Sequence, residues 1–96
     1  MSLPSSLNTP LPRDLWLKRL QYRSWHRGCK ETDLVLGTYC DEQIATLSTD
    51  ALSLYEAFLD EDDAEIWAWL TEKTPCPKGE YASLLDALRA QKIGAR

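Results

Sequence analysis

The sequence predicts an all-α protein, a compact antiparallel bundle of about five short helices. Three observations predict it. Apolar residues recur at three- and four-residue spacing in five segments, no run alternates cleanly enough for a strand, and the segments are joined by short connections rich in Gly, Pro or acidic residues. With 96 residues, 44% hydrophobic and 27% charged, the chain is the size and composition of one small folded domain with a shallow core. The expected organisation is a flexible tail over residues 1–12, a helical domain over 13–92 and a flexible C-terminus over 93–96.

The first helix is expected from Arg13 to His26, opened by Pro12, with Leu15, Trp16, Leu20 and Trp25 as its apolar stripe and Gly28 ending it through a left-handed conformation. A second is expected from Lys30 to Gln43, facing inward through Leu34, Val35, Thr38 and Tyr39, although Gly37 weakens it by about 1 kcal/mol relative to Ala. Ser48 or Thr49 caps a third, in which Leu52, Tyr55, Phe58 and Leu59 share one face. Asp62 and Glu65 have capping-box spacing at the start of a fourth, whose buried face is Ile66, Trp67, Trp69 and Leu70. Pro75 and Pro77 make the next segment a loop. The fifth helix carries Tyr81, Leu84, Leu85 and Leu88 and ends near Lys92, before Gly94.

Charge is segregated along the chain. Residues 1–30 hold six Lys or Arg against Asp14 alone, residues 31–72 hold twelve acids and no Lys or Arg, and the remainder is again basic. An overall charge of −4 without a basic cluster beyond the first third argues against nucleic acid as a partner. No stretch approaches the roughly 20 apolar residues of a membrane span, so the chain is not expected to be membrane-embedded. Cys29, Cys40 and Cys76 are odd in number and widely spaced, which fits neither a zinc site nor a disulfide scaffold.

Little in the sequence supports catalysis. His26 is the only histidine, and a pairing with Cys29 lacks the third group that would hold a base in place. The cluster Asp60 to Asp63 lacks the alternating ligand spacing of a calcium loop and reads as a solvated turn with an N-cap. Trp67 and Trp69 lie about 200° apart on a helix, so one is core and the other is free for a partner. Without a glycine-rich phosphate loop the chain should not hold a nucleotide or flavin by itself.

What remains is the corner Arg27-Gly28-Cys29-Lys30-Glu31. Its plain reading is a helix break with a cation ending one helix and a carboxylate opening the next. A functional reading adds that Gly28 admits close approach of another backbone, flanked by Arg27 and Glu31, both short of internal partners. The run Trp25-His26-Arg27-Gly28-Cys29-Lys30-Glu31-Thr32-Asp33 resembles the RGxxE signature of the succinate dehydrogenase assembly factors, the bacterial SdhE group and its mitochondrial relatives, which often read RRGxxELD. Leu59 to Leu70 resembles that family's acidic turn and tryptophan-bearing helix. His26 and Thr32 depart from the pattern, standing where an arginine and an apolar residue are common.

The resemblance covers about residues 13 to 92 and implies a small helical, non-enzymatic chaperone. Such a protein binds the flavoprotein subunit of succinate dehydrogenase, or of fumarate reductase, and promotes covalent attachment of FAD to a histidine of that client. The FAD belongs to the client, and no metal is implied. The implied partner-binding residues are Arg27, Gly28 and Glu31, with Asp33 in support and Trp69 downstream. The alternative is a small helical regulatory module, such as the antitoxin of a toxin and antitoxin pair. Because residues 1–12 lack an Arg-rich presequence, a bacterial cytoplasmic location is expected.

Overall fold

The first helix, α1, spans Arg13–Trp25 in the computed structural model, which describes residues 12–91. It is followed by α2 (Lys30–Gln43), a 3-10 turn (Ile44–Thr46), α3 (Thr49–Leu59), α4 (Asp63–Leu70), a second 3-10 turn (Gly79–Tyr81) and α5 (Ala82–Ala90). The five expected helices are thus present, and no strand occurs among the described residues. The flexible segments expected over 1–12 and 93–96 lie, apart from Pro12, outside the described residues. α5 ends two residues before the expected Lys92, which also lies outside them.

Capping follows local chemistry. Ser48 accepts from the Ala51 N–H at 3.1 Å and Asp62 from the Ala64 N–H at 3.2 Å, so α3 and α4 each begin on a side-chain oxygen that satisfies an orphan donor. At the far end of α4, Arg89 donates to the carbonyls of Trp69 (2.8 Å) and Leu70 (3.2 Å), placing a cation at the negative end of the helix dipole.

The stripes of α3 and α5 are buried as expected, whereas those of α1 and α2 are rotated. In α1, Leu20 and Ser24 are buried and Leu15 is 50% exposed. In α2 the buried residues are Thr32, Leu36, Gly37, Tyr39 and Cys40, while Leu34 is 42% exposed. The reason is the position of α2, which packs against α1, α4 and α5 and so has no single inward stripe. Gly37 proves to be required by packing: a Cβ there would stand 2.2 Å from the Trp25 indole, so its absence makes the slot in which Trp25 lies. Ser24, on the α1 face turned inward, lies 2.7 Å from the Leu20 carbonyl and 2.6 Å from the Tyr55 hydroxyl, which in turn lies 3.1 Å from the Leu36 carbonyl, so two hydroxyl protons are shared over three contacts. That chain satisfies the polar groups buried where α1, α2 and α3 meet.

Trp69 is 3% exposed and packs with Phe58 and Tyr81, the latter two edge to face at 5.0 Å between centroids. Its side chain offers no contact surface, which corrects the expectation that it meets a partner. The half-buried tryptophan of α4 is Trp67.

Candidate partner-binding site

Between α1 and α2 the chain turns in four residues. His26 closes α1, Arg27 and Gly28 make the corner, and Cys29 precedes α2 in extended conformation. Gly28 has φ of +94°, a region that costs an L side chain energy, while a Cβ there would meet nothing within 4 Å. Glycine is therefore demanded by the backbone, and the surface over it is open. Asp33, in the first turn of α2, reaches back to accept from the Arg27 N–H at 2.9 Å, which ties the corner to the helix it starts. The buried Thr32 donates to the Cys29 sulfur at 3.3 Å, so its hydroxyl is satisfied at the position where the RGxxE pattern commonly has an apolar residue.

Arg27 corrects the expectation that it is short of partners. Its side chain is 10% exposed and turns away from the corner towards the link between α3 and α4. There it donates to the carbonyls of Leu59 (2.6 Å) and Glu61 (2.8 Å) and pairs with Asp63 at 2.5 Å. Leu59 is the last residue of α3, and its carbonyl is one of those a helix end leaves unpaired.

The acidic turn is solvated at Asp60 and Asp62, as expected, and is also clamped through Glu61 and Asp63. From the other side, Lys78 donates to Glu61 at 2.6 Å and the Tyr81 hydroxyl donates to the same oxygen at 3.0 Å. The hydrogen bond from Lys78 holds the Glu61 carboxyl below its ordinary range, and burial pushes the Tyr81 phenol up to about 12. The basic edge of α1 runs alongside: Arg19 pairs with Glu56 at 3.2 Å and Arg23 with Asp60 at 2.6 Å. Cations four residues apart on α1 thus meet acids along α3 and the turn, and the segregated charge of the sequence is used to join these elements. None of this was visible from spacing alone, because the partners lie 36 or 37 residues apart.

Once these pairs are made, Gly28, Lys30 and Glu31 form the exposed part of the corner. Among the described residues Glu31 receives only a 3.6 Å contact from the Cys29 thiol. His26 stacks on Tyr22 at 4.2 Å between centroids, with Nδ1 3.0 Å from the Tyr22 carbonyl, so it is turned along its own helix while Cys29 is engaged by Thr32 and Glu31. Cys40 is buried, and burial pushes its thiol up to about 11, away from reactive thiolate chemistry. Among the described residues no group of three or more His, Cys, Asp or Glu is arranged to hold a metal, and no helix is long and apolar enough to cross a membrane.

The family model described as "Flavinator of succinate dehydrogenase" matches residues 18–92. "Succinate dehydrogenase assembly factor 2, mitochondrial" of Aspergillus terreus is 42% identical over 81% of this chain and 26% of its own length. The protein of the same name in Schizosaccharomyces pombe is 38% identical over 69% of this chain and 48% of its own. "FAD assembly factor SdhE" of Acetobacter pasteurianus is 31% identical over 71% of this chain and 62% of its own. The chain therefore spans less than two thirds of each of these relatives, and about a quarter of the Aspergillus protein. No solved structure matches it.

The mitochondrial relatives in fungi, a plant and a fish overturn the expected bacterial cytoplasmic location. That expectation leaned on residues 1–12, which lie ahead of the matched region and carry no weight on it. The matched region contains both the Gly28 corner and the acidic turn that Arg27 clamps, and the chain belongs to the flavinator of succinate dehydrogenase family.

Proposed function

We propose that this protein binds the flavoprotein subunit of succinate dehydrogenase and promotes covalent attachment of FAD to it, with Gly28 and Glu31 as the contact surface. The observation that carries this reading is Glu31, exposed beside an open glycine and forming no ion pair among the described residues, inside the region matched by the family. Arg27 and Asp33 act behind that surface: Asp33 holds the Arg27 N–H, and the Arg27 side chain fixes the corner against the acidic turn. They position the contact residues rather than touch the client.

The residues here do not fit a resident FAD. The exposed helix N-terminus nearest the corner is that of α2, and its first turn carries Glu31 and Asp33, whose carboxylates oppose a pyrophosphate. FAD accordingly belongs to the client, and the chain contributes no catalytic group. Its contribution is differential binding, favouring the client conformation in which flavin and acceptor histidine are in attack geometry. The flavoprotein of fumarate reductase is a second client on the same reading.

The test is a flavinylation assay with apo flavoprotein subunit, FAD and either this protein or its Glu31→Gln variant, scored by covalent flavin fluorescence after denaturation. The variant should fold normally by circular dichroism and lower the rate by about tenfold or more. An unchanged rate with a folded Glu31→Gln protein would remove Glu31 from the site.

A further inference from the structure

Beside Glu31 lies an open groove of about 470 Å³, lined by Trp25, Lys30, Glu31, Asp33 and Leu34. The Trp25 indole is held in place on two sides: its N–H lies 3.3 Å from both carboxylate oxygens of Asp41, and its ring lies on the α2 backbone at Gly37. Lys30, Leu34, Gly37 and Asp41 follow one another at helical spacing along one stripe of α2. Trp25 covers the later half of that stripe, and Leu34, 42% exposed, leaves the earlier half open.

The charges around the groove are unbalanced. Asp33 and Asp41 are engaged only by neutral N–H donors, Glu31 only by a thiol, and none of the three forms an ion pair among the described residues. Two lining carboxylates, Glu31 and Asp33, therefore stand against Lys30, with Asp41 beyond Trp25. An apolar floor with an acidic edge complements an apolar side chain carried next to a cation.

We propose that this groove is a second docking point for the flavoprotein client: it receives a large apolar side chain against Trp25 and Leu34, while an adjacent Lys or Arg of the same segment pairs with Glu31. This rests on the reading of Glu31 given above. Because Trp25 is already fixed by Asp41 and Gly37, little side-chain freedom is lost on docking, and a rigid tryptophan is well suited to anchor an interface.

Binding of purified apo flavoprotein subunit to four proteins tests this: wild type, Leu34→Asp, Leu34→Met and Glu31→Gln, each checked by circular dichroism. Leu34 is exposed enough for both substitutions to leave the fold intact. Leu34→Asp should weaken binding at least about tenfold, Leu34→Met should stay within about threefold, and Glu31→Gln should weaken binding and flatten its salt dependence. If Glu31→Gln weakens binding but Leu34→Asp does not, the groove is overturned and the Glu31 reading stands. If Leu34→Asp weakens it and Glu31→Gln does not, the paired apolar and cationic occupant is overturned. Wild-type binding by both overturns the groove and the contact surface together.

Discussion

Arg27, in the corner after α1, and Asp63, the first residue of α4, form an ion pair at 2.5 Å across 36 residues of sequence. The same guanidinium holds the carbonyls of Leu59 and Glu61, so one side chain closes the α3–α4 link onto the surface that carries Gly28 and Glu31. Removing it leaves a carboxylate that is one-third exposed, and two carbonyls, without their donors. Arg27→Ala should destabilise the protein by about 2–4 kcal/mol in urea unfolding, with Arg27→Lys intermediate because an ammonium cannot span three acceptors in a fixed fork. A loss below about 0.5 kcal/mol would show the clamp to be energetically idle.

Gly37 and Trp25 form a second coupled pair. Gly37→Ala gains about 1 kcal/mol in helix propensity but drives a methyl into the indole, a clash costing about 1–3 kcal/mol. The net effect should be destabilising, with a red shift in tryptophan fluorescence as Trp25 leaves its slot. In a Trp25→Ala background the sign should reverse, and Gly37→Ala should stabilise by up to about 1 kcal/mol. The same sign in both backgrounds would mean that the two residues are not coupled.

The Glu61–Lys78 contact predicts a pH dependence with two limbs. The Lys78 hydrogen bond lowers the Glu61 carboxyl below its ordinary 4.5, so the stability it contributes is present above that value and lost as pH falls through the lower folded one. Conversely, the hydrogen bond to Glu61 raises Lys78 above its ordinary 10.5, and that contribution is lost as pH rises through the higher folded value. Lys78→Met should therefore lower the melting temperature at neutral pH by an amount that shrinks once the pH falls below about 4. A difference between the two proteins that stays constant down to about pH 2 would rule the pair out as its source.

The third and fifth helices were legible because each packs through one side. Leu52, Tyr55, Phe58 and Leu59, and likewise Tyr81, Leu84, Leu85 and Leu88, are all buried. The buried face of α2 departs from its expected stripe for the opposite reason: it is contacted on several sides, so Thr32 and Cys40 are buried while the apolar Leu34 faces outward. The spacing of Trp67 and Trp69 required that they part, but only packing against Phe58 and Tyr81 decided that Trp69 goes inward.

The helices, a cap at Asp62 and one at Ser48 or Thr49, the need for glycine at position 28, and the corner as the place to look for a site follow from the chain alone. These are local matters, set within a few residues by backbone sterics, capping chemistry and the helical period. The roles within the corner come from packing between distant segments. Arg27 faces inward because three acceptors of a distant turn converge on it, whereas Glu31 remains outward and pairs with no cation among the described residues, and Trp25 lies flat because Gly37 leaves it room. Pairings across 36 or 37 residues, and the angle at which one helix lies on another, have no signature in the spacing of a single chain.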